Sequence, residues 1–194
     1  MKKQAEDIAL VSQVILLGSE KAFRRLVEKY QSPIRRFFMN HTSGNLAVSD
    51  DLSQETFIRA WTHIGTFKGL SSFSTWLYRI AYNIWCDHLR TYKECQSLDQ
   101  TEVDRNFQCE QQDMAIRYDL YRAMALLKED EKSCILLYYM EDLSIGKIST
   151  ITGMPAGTVK SHLSRAKNKL SEFLNAQGYE YAQRSSDQTI LEIL

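Results

Sequence analysis

The chain has 194 residues, enough for one medium domain or two small ones. Lysine plus arginine number 24 and aspartate plus glutamate number 24, so the formal net charge is zero and any contact with nucleic acid must be local. Apolar residues at 44% exclude a wholly disordered chain, and two prolines with eight glycines are too few for an all-β fold built on tight turns.

Lys2 and Lys3 precede an apolar stretch over 8–17, which imitates a secretory leader. Glu6 and Asp7 lie between, Ser12 and Gln13 interrupt it, no A-x-A site follows, and the run is too short to span a bilayer. It reads as a buried first helix in a cytoplasmic protein. Gly18 ends that helix and Ser19 caps the next. Phe23, Leu26, Val27 and Tyr30 then fall at i, i+3, i+4 and i+7, one apolar stripe. Pro33 sits near a break, followed by Ile34, Phe37 and Phe38. Ser49 or Asp50 caps a third helix that should bury Phe57, Ala60, Trp61 and Ile64. Ser72 or Ser74 starts a long helix with Phe73, Leu77, Ile80 and Ile84 on one face. No period-two strand and no internal repeat is visible.

Charge then marks a boundary. Residues 1–92 carry 12 basic and 8 acidic groups, whereas 93–113 carry 2 basic and 6 acidic groups with five glutamines. The second stretch reads as a flexible acidic linker. Helical patterning resumes over 114–178, with helices predicted near 114–127, 130–141, 145–151 and 158–175, before a polar tail over 179–194. The fold class is all-α: two helical domains joined by the linker. Cys86, Cys95, Cys109 and Cys134 show no C-x-x-C spacing and the four histidines are scattered, so no metal, disulfide framework or cofactor is expected.

The segment 144–170 carries the sharpest signal. Ser144 can cap a short helix bearing Ile145, Ile148 and Ile151. Thr152-Gly153-Met154-Pro155 turns the chain, with Gly153 open to positive φ. Thr158 can cap a second helix whose Val159, Leu163, Ala166 and Leu170 form an inner stripe. Lys160, Ser161, Ser164, Arg165 and Asn168 share the outer face, with Lys167 and Lys169 beside them. Residues 156–170 hold four cations and no acid. A recognition helix needs an apolar back and short polar or cationic groups in front, which hydrogen-bond base edges and meet phosphates. An amphipathic helix with a solvated basic face is the plainer alternative. The preceding cap, short helix and glycine turn favour a helix-turn-helix.

Two further stretches fix the kind of DNA-binding protein. One runs Asp50-Asp51-Leu52-Ser53-Gln54-Glu55-Thr56-Phe57-Ile58-Arg59-Ala60-Trp61. The other runs Phe73-Ser74-Thr75-Trp76-Leu77-Tyr78-Arg79-Ile80-Ala81-Tyr82-Asn83 and continues to Asp87 and Arg90. Together they resemble region two of the extracytoplasmic-function (ECF) sigma factors of bacterial RNA polymerase. The opening 18–23 with Tyr30 fits as well, and 157–163 with Arg165-Ala166 is similar to the end of the family's region four. The resemblance covers about residues 8–175. It implies a subunit without catalysis of its own or a small-molecule substrate, with core RNA polymerase and promoter DNA as partners and an anti-sigma factor as inhibitor. It implies that region two opens the minus-ten element and holds a flipped base, while 114–178 takes the minus-thirty-five element. Departures are Lys128, where proline is frequent, and Gly146, Lys147, Ser149 and His162; they bear on promoter preference rather than on fold.

The residue chemistry suits those roles. Asn83 can read a base edge, and Arg79 can meet a phosphate or stack on a base. Trp76 reads more simply as core. The 51–62 helix shows Asp51, Gln54, Glu55 and Arg59 outside; such a mixed-charge face suits a protein partner, which the resemblance identifies as the polymerase clamp helices. Thr158, Lys160, Ser161, Ser164, Arg165 and Asn168 form the second DNA-facing set. The nearest rival is a response-regulator-like transcription factor, whose helix-turn-helix end is also similar. It needs an N-terminal α/β receiver. A metal-dependent helical enzyme needs inward ligands at i, i+3 or i+4, and a helical scaffold would hold regulators without touching DNA.

Overall fold

In the computed structural model of the protein, residues 2–98 and 121–176 are described, and all their regular structure is helical. The chain divides into two compact units. One comprises Met1–Phe38 with Leu46–Arg105, the other Met39–Asn45 with Asn106–Leu194.

The first unit is built from α1 (Lys2–Leu17), α2 (Glu20–His41, whose last turn belongs to the second unit), α3 (Leu46–His63), a 3₁₀ turn (Ile64–Thr66) and α4 (Phe73–Leu98). The helix α1 is buried on one stripe only, through Leu10, Val11 and Val14, while Ile15, Leu16 and Leu17 are exposed. Buried Asp7 ties it to α2: it accepts from Lys29 and, at 2.6 Å, from the Tyr30 hydroxyl. Burial and then the Asp7 bond push the Tyr30 phenol above its ordinary value.

Pro33 does not break α2, which runs through it. A proline removes one backbone bond from a helix. Here Leu26 on one side and Ile34, Phe37 and Phe38 on the other are all buried, so packing holds the helix across the gap.

The start of α3 is Leu46, ahead of both expected caps. Ser49 instead lies buried within the helix, and Asp50 accepts a bond from Arg35. The buried face is Ser49, Ser53, Thr56 and Ala60. The Ser53 and Thr56 hydroxyls are satisfied inside the helix, Ser53 donating to the Ser49 carbonyl at 2.6 Å and Thr56 to that of Leu52 at 2.8 Å. Small residues let α3 lie close against α4, its main neighbour. Trp61 is therefore not a core residue. It is 40% exposed and packs edge-on against Phe23 at 4.9 Å.

Ser72 caps α4 by accepting from the Thr75 N–H at 3.2 Å. Phe73, Leu77 and Ile84 are buried as the periodicity requires. The helix extends to Leu98 and so takes in the first six residues of the expected linker; positions 99–113 and the 179–194 tail lie outside the described residues.

In the second unit a helical stretch over 121–125, here α5, precedes α6 (Glu129–Ile135), which continues into a π turn (Leu136–Met140). Two helices complete it, α7 (Ile145–Thr152) and α8 (Ala156–Ala176). Met124, Ile135, Leu136, Leu137, Ile148 and Val159 are buried among them. The Met39–Asn45 segment was not anticipated as part of this unit. Gly44 has φ +91°, and a Cβ there would stand 3.1 Å from the Tyr121 ring. His41 is fully buried, 3.6 Å from Glu129 and 3.4 Å from the Ser133 hydroxyl. Burial pushes its imidazole down to about 4; the Glu129 bond opposes that and the Lys132 charge adds to it.

Candidate nucleic-acid interface

On the first unit, α4 and the end of α3 enclose an open recess of about 160 Å³. Its lining is Arg59, His63, Thr66, Trp76, Ile80 and Asn83. Trp76 is half-buried rather than core, and is braced by Phe67 at 5.7 Å and Phe73 at 5.6 Å. The recess therefore has aromatic and aliphatic walls with an amide, an imidazole and a guanidinium around them. That mixture suits a flat heteroaromatic ring, stacked on one group and hydrogen-bonded at its edge.

Arg59 is half-buried and paired on two sides. Its Nε donates to Glu55 at 2.6 Å and its Nη1 to Asp87 of α4 at 3.3 Å; Asp87 in turn accepts from Arg90 at 3.1 Å. Its guanidinium is held above its already high ordinary value, chiefly by the Glu55 bond. Asp51 and Gln54 are exposed, and Glu55 is half-buried. Arg79 is exposed, one helical turn before Asn83, and is not among the lining residues. His63 and Thr66 lie where the sequence pattern gave no signal, since they flank Ile64 and fall off the apolar stripe.

On the second unit the Ser144 hydroxyl accepts from the Lys147 N–H at 3.4 Å, starting α7. Gly153 adopts φ +75° and donates its N–H to the Ser149 carbonyl at 2.9 Å, ending it. Inside the turn, the Ser149 hydroxyl donates to the Met154 carbonyl at 2.6 Å, and Met154 N–H donates to the Thr152 hydroxyl at 3.3 Å. The next helix begins at Ala156, so Thr158 is not its cap. Pro155 takes the capping position, its carbonyl accepting from Val159 N–H at 3.1 Å. Proline suits a helix start because the N–H it lacks has no helical partner there.

Along α8, Val159, Leu163, Ala166 and Leu170 are buried. Lys160, Ser161, Ser164, Arg165 and Asn168 are exposed together, and Thr158 is half-buried beside them. The Ser161 hydroxyl donates back to the Gly157 carbonyl at 3.0 Å, and Arg165 Nε to the Ser161 carbonyl at 3.2 Å.

The two flanking lysines turn inward. Lys167 sits 5.6 Å from the centre of the Tyr139 ring, and Lys169 bonds Glu131 at 2.7 Å. The Glu131 side chain is only 1% exposed, with Arg165 at 4.0 Å and the Lys128 N–H donating at 3.1 Å. Burial alone would raise this carboxyl. The Lys169 and Lys128 bonds, with the Lys169 and Arg165 charges, bring it below its ordinary value instead. Sequence reasoning missed Glu131. The available signal was an acid at the third position of α6, where it reaches back to a capping N–H, but the partner serine or threonine of the usual box is Lys128.

Residues 26–94 match the family Sigma-70 region 2, and residues 117–170 match Sigma-70, region 4. The chain is similar to the RNA polymerase sigma-H factor of Pseudomonas aeruginosa, at 32% identity over 188 residues, which spans 90% of this chain and 96% of that one. It is 32% identical over 184 residues to the ECF RNA polymerase sigma-E factor of Haemophilus influenzae, covering 88% and 96%. Among solved structures it is similar to the sigma factor RpoE in complex with the anti-sigma factor NepR from Bartonella quintana. The identity there is 27% and the TM-score 0.67, over 80% of this chain and 98% of that one.

Proposed function

The chain belongs to the extracytoplasmic-function sigma factors of the sigma-70 family, and on that premise we propose that its two units divide the reading of a promoter between them. It is an alternative sigma factor, binding core RNA polymerase and promoter DNA in transcription initiation. In the division we propose, Asn83 and the α4 recess take an unpaired base of the minus-ten element, with Arg79 on the adjoining backbone. Lys160, Ser161, Ser164, Arg165 and Asn168 on α8 read the minus-thirty-five element, Thr158 at their edge. Asp51, Gln54 and Glu55 meet the polymerase, and Arg59 moves from that set to the DNA side. The chain works in the cytoplasm and catalyses nothing itself.

One observation carries this reading. The region 2 match spans every residue of the recess, and the region 4 match spans the whole 144–170 helix-turn-helix. The response-regulator reading needs strands in the N-terminal half, and the described residues there are helical. The test is run-off transcription with core polymerase and this chain on promoters altered in one element at a time. Asn83→Ala should change the response to minus-ten substitutions and Arg165→Ala the response to minus-thirty-five substitutions. The opposite pairing, or no change in either, refutes the division.

We also infer an anti-sigma factor as a partner, because the solved relative from Bartonella quintana is bound to one. Pull-down from resting cells should recover this chain with a stoichiometric inhibitor. Recovery with polymerase alone, unchanged on induction, refutes that inference.

A further inference from the structure

We propose that the hairpin of α1 and α2 docks on the surface of a lipid bilayer with anionic headgroups. Apolar side chains of α1 enter the interface, and cations of α2 meet the headgroups. Of the ten exposed large hydrophobics among the described residues, four lie on α1: Ile8, Ile15, Leu16 and Leu17. Leu16 and Leu17 are 79% and 77% exposed. Ile8 and Ile15 stand seven positions apart and so share one side of the helix. Positions 8–19 hold no charged residue, so this outer face carries nothing that water solvates strongly. Apolar side chains scattered singly over a surface are ordinary, whereas a charge-free helix that shows four of them together marks a contact.

The hairpin is held at both ends. Near its base, buried Asp7 accepts from Lys29 and Tyr30. At its tip Gly18 turns the backbone with φ +60°, and the Ser19 hydroxyl accepts from the Ala22 N–H at 3.3 Å. A Cβ built on Gly18 would find no atom within 4 Å, so the corner stands clear of the described residues. Over 20–36, α2 carries six cations and two acids. Lys29 pairs with Asp7 and Arg35 with Asp50. Lys21, Arg24 and Arg25 are exposed on the outer face and enter no ion pair among the described residues. Lys21 is four residues from Leu17, a reach of at most about 14 Å, and the other two follow within about one turn.

Apolar groups beside unpaired cations match the order of a bilayer interface, where acyl chains lie beneath charged headgroups. An interfacial helix sinks about 5–10 Å, held by its apolar area and by attraction of lysine and arginine to anionic lipid. A protein groove fits less well. It takes helix anchors from one face, at i, i+3, i+4 and i+7, whereas Leu16 and Leu17 are consecutive and point about 100° apart. A fluid interface surrounds both. A second copy paired over this corner by a two-fold axis would bring Lys21, Arg24 and Arg25 toward their own counterparts, and like charges repel. No helix of the described residues is long and apolar enough to cross a membrane, so the hairpin rests on the surface and does not span it.

The test is flotation of the full chain with vesicles, either phosphatidylglycerol with phosphatidylethanolamine or phosphatidylcholine alone. The chain should bind the anionic vesicles, not the neutral ones, and leave them as salt rises from about 0.1 M to about 0.5 M. Leu16→Ser with Leu17→Ser should weaken binding at least about tenfold. Lys21→Gln, Arg24→Gln and Arg25→Gln together should weaken it by roughly fivefold for each charge removed. Leu16→Phe with Leu17→Phe should bind as tightly as the parent or more so. Leu126→Ser, which removes an exposed leucine from the second unit, should change nothing. A parent chain that ignores anionic vesicles, or binds both kinds equally, overturns the proposal. So does a serine variant that floats as the parent does while the glutamine variant is lost, since basic adsorption alone then accounts for binding. A serine variant that floats normally but loses core polymerase, or that is a monomer by light scattering where the parent is a dimer, puts a protein at this corner and overturns it as well.

Discussion

Removing Lys169 should destabilise the second unit more than neutralising the acid it holds. The Glu131 side chain is 1% exposed and that of Lys169 36%. In Lys169→Ala the buried carboxylate keeps the Lys128 N–H at 3.1 Å and an Arg165 nitrogen at 4.0 Å, beyond a hydrogen bond. Breaking a fully buried pair costs about 3–5 kcal/mol; partial exposure of the lysine screens this one, which lowers the expectation to about 2–3 kcal/mol. Glu131→Gln leaves an oxygen for the Lys128 N–H and an ammonium that can turn to water, so about 1–2 kcal/mol is expected. Replacing both, as Glu131→Leu with Lys169→Met, should return to within about 1 kcal/mol of the parent. The assay is hydrogen exchange over 129–135 and 156–176 in the full chain, because Trp61, Trp76 and Trp85 all lie in the first unit and fluorescence would report that one. A depressed Glu131 carboxyl contributes stability above the ordinary carboxylate value, lost as pH falls through the lowered one. If Lys169→Ala costs less than Glu131→Gln, or if the two losses simply add in the double variant, the reasoning is wrong.

Lys160→Ala and Arg165→Ala should weaken footprints over the upstream promoter element while polymerase binding stays intact. A lost base contact should cost about 1–3 kcal/mol and relax specificity, whereas a lost phosphate contact should weaken all sequences alike and reduce the salt slope by about 1. His41 is buried neutral, with Glu129, Lys132 and Ser133 facing it, so its contribution to stability is full above its ordinary 6.5 and is lost as pH falls toward about 4. Exchange protection of 39–45 should fall between pH 7 and pH 5, and His41→Phe should remove that dependence. The isolated chain should bind duplex DNA weakly and gain specificity only with core polymerase; a gel-shift titration showing tight, sequence-specific binding by the chain alone at physiological salt contradicts this.

Periodicity made much of the fold legible, and what it missed follows from packing rather than pattern. Val159, Leu163, Ala166 and Leu170 could be read as a stripe because all four are apolar and evenly spaced. The buried face of α3 could not, since Ser49, Ser53 and Thr56 look like surface residues, and only the structure shows the Ser53 and Thr56 hydroxyls bonding the helix's own carbonyls. The same blindness moved Trp61 into the core. Pro33 suggests a nearby break because a single sequence shows the missing backbone bond but not the phenylalanines that hold the helix across it. Caps with a serine at the right spacing, Ser72 and Ser144, were read correctly; Thr158 was not, because Pro155 starts the helix earlier by shape alone. In the candidate site Asn83 could be named from its helix face. The recess around it could not, since it joins α3 residues such as Arg59 to α4, and the bond from Arg59 to Asp87 lies 28 positions along the chain.

On the division of the promoter proposed above, these pairings also explain how a chain of zero net charge carries DNA-facing surfaces. Of the four cations on 156–170, Lys169 is bonded to Glu131, Lys167 faces the Tyr139 ring, and Arg165 stands near Glu131, so Lys160 is the most outward. On the first unit Arg59 and Arg90 share Asp87. A phosphate contact contributes by releasing counterions, and each cation already paired contributes less. Neither surface can then hold DNA firmly through charge alone. What remains is directional: amide, hydroxyl and guanidinium groups whose positions the pairs fix, and which cost little further ordering when a base edge arrives. Two such weak, exacting surfaces discriminate well only when they are engaged together, each raising the effective concentration of the other on one promoter. On that reading attachment to polymerase supplies the condition, and the internal neutralisation that weakens each contact makes recognition dependent on the complex, as the gel-shift titration would test.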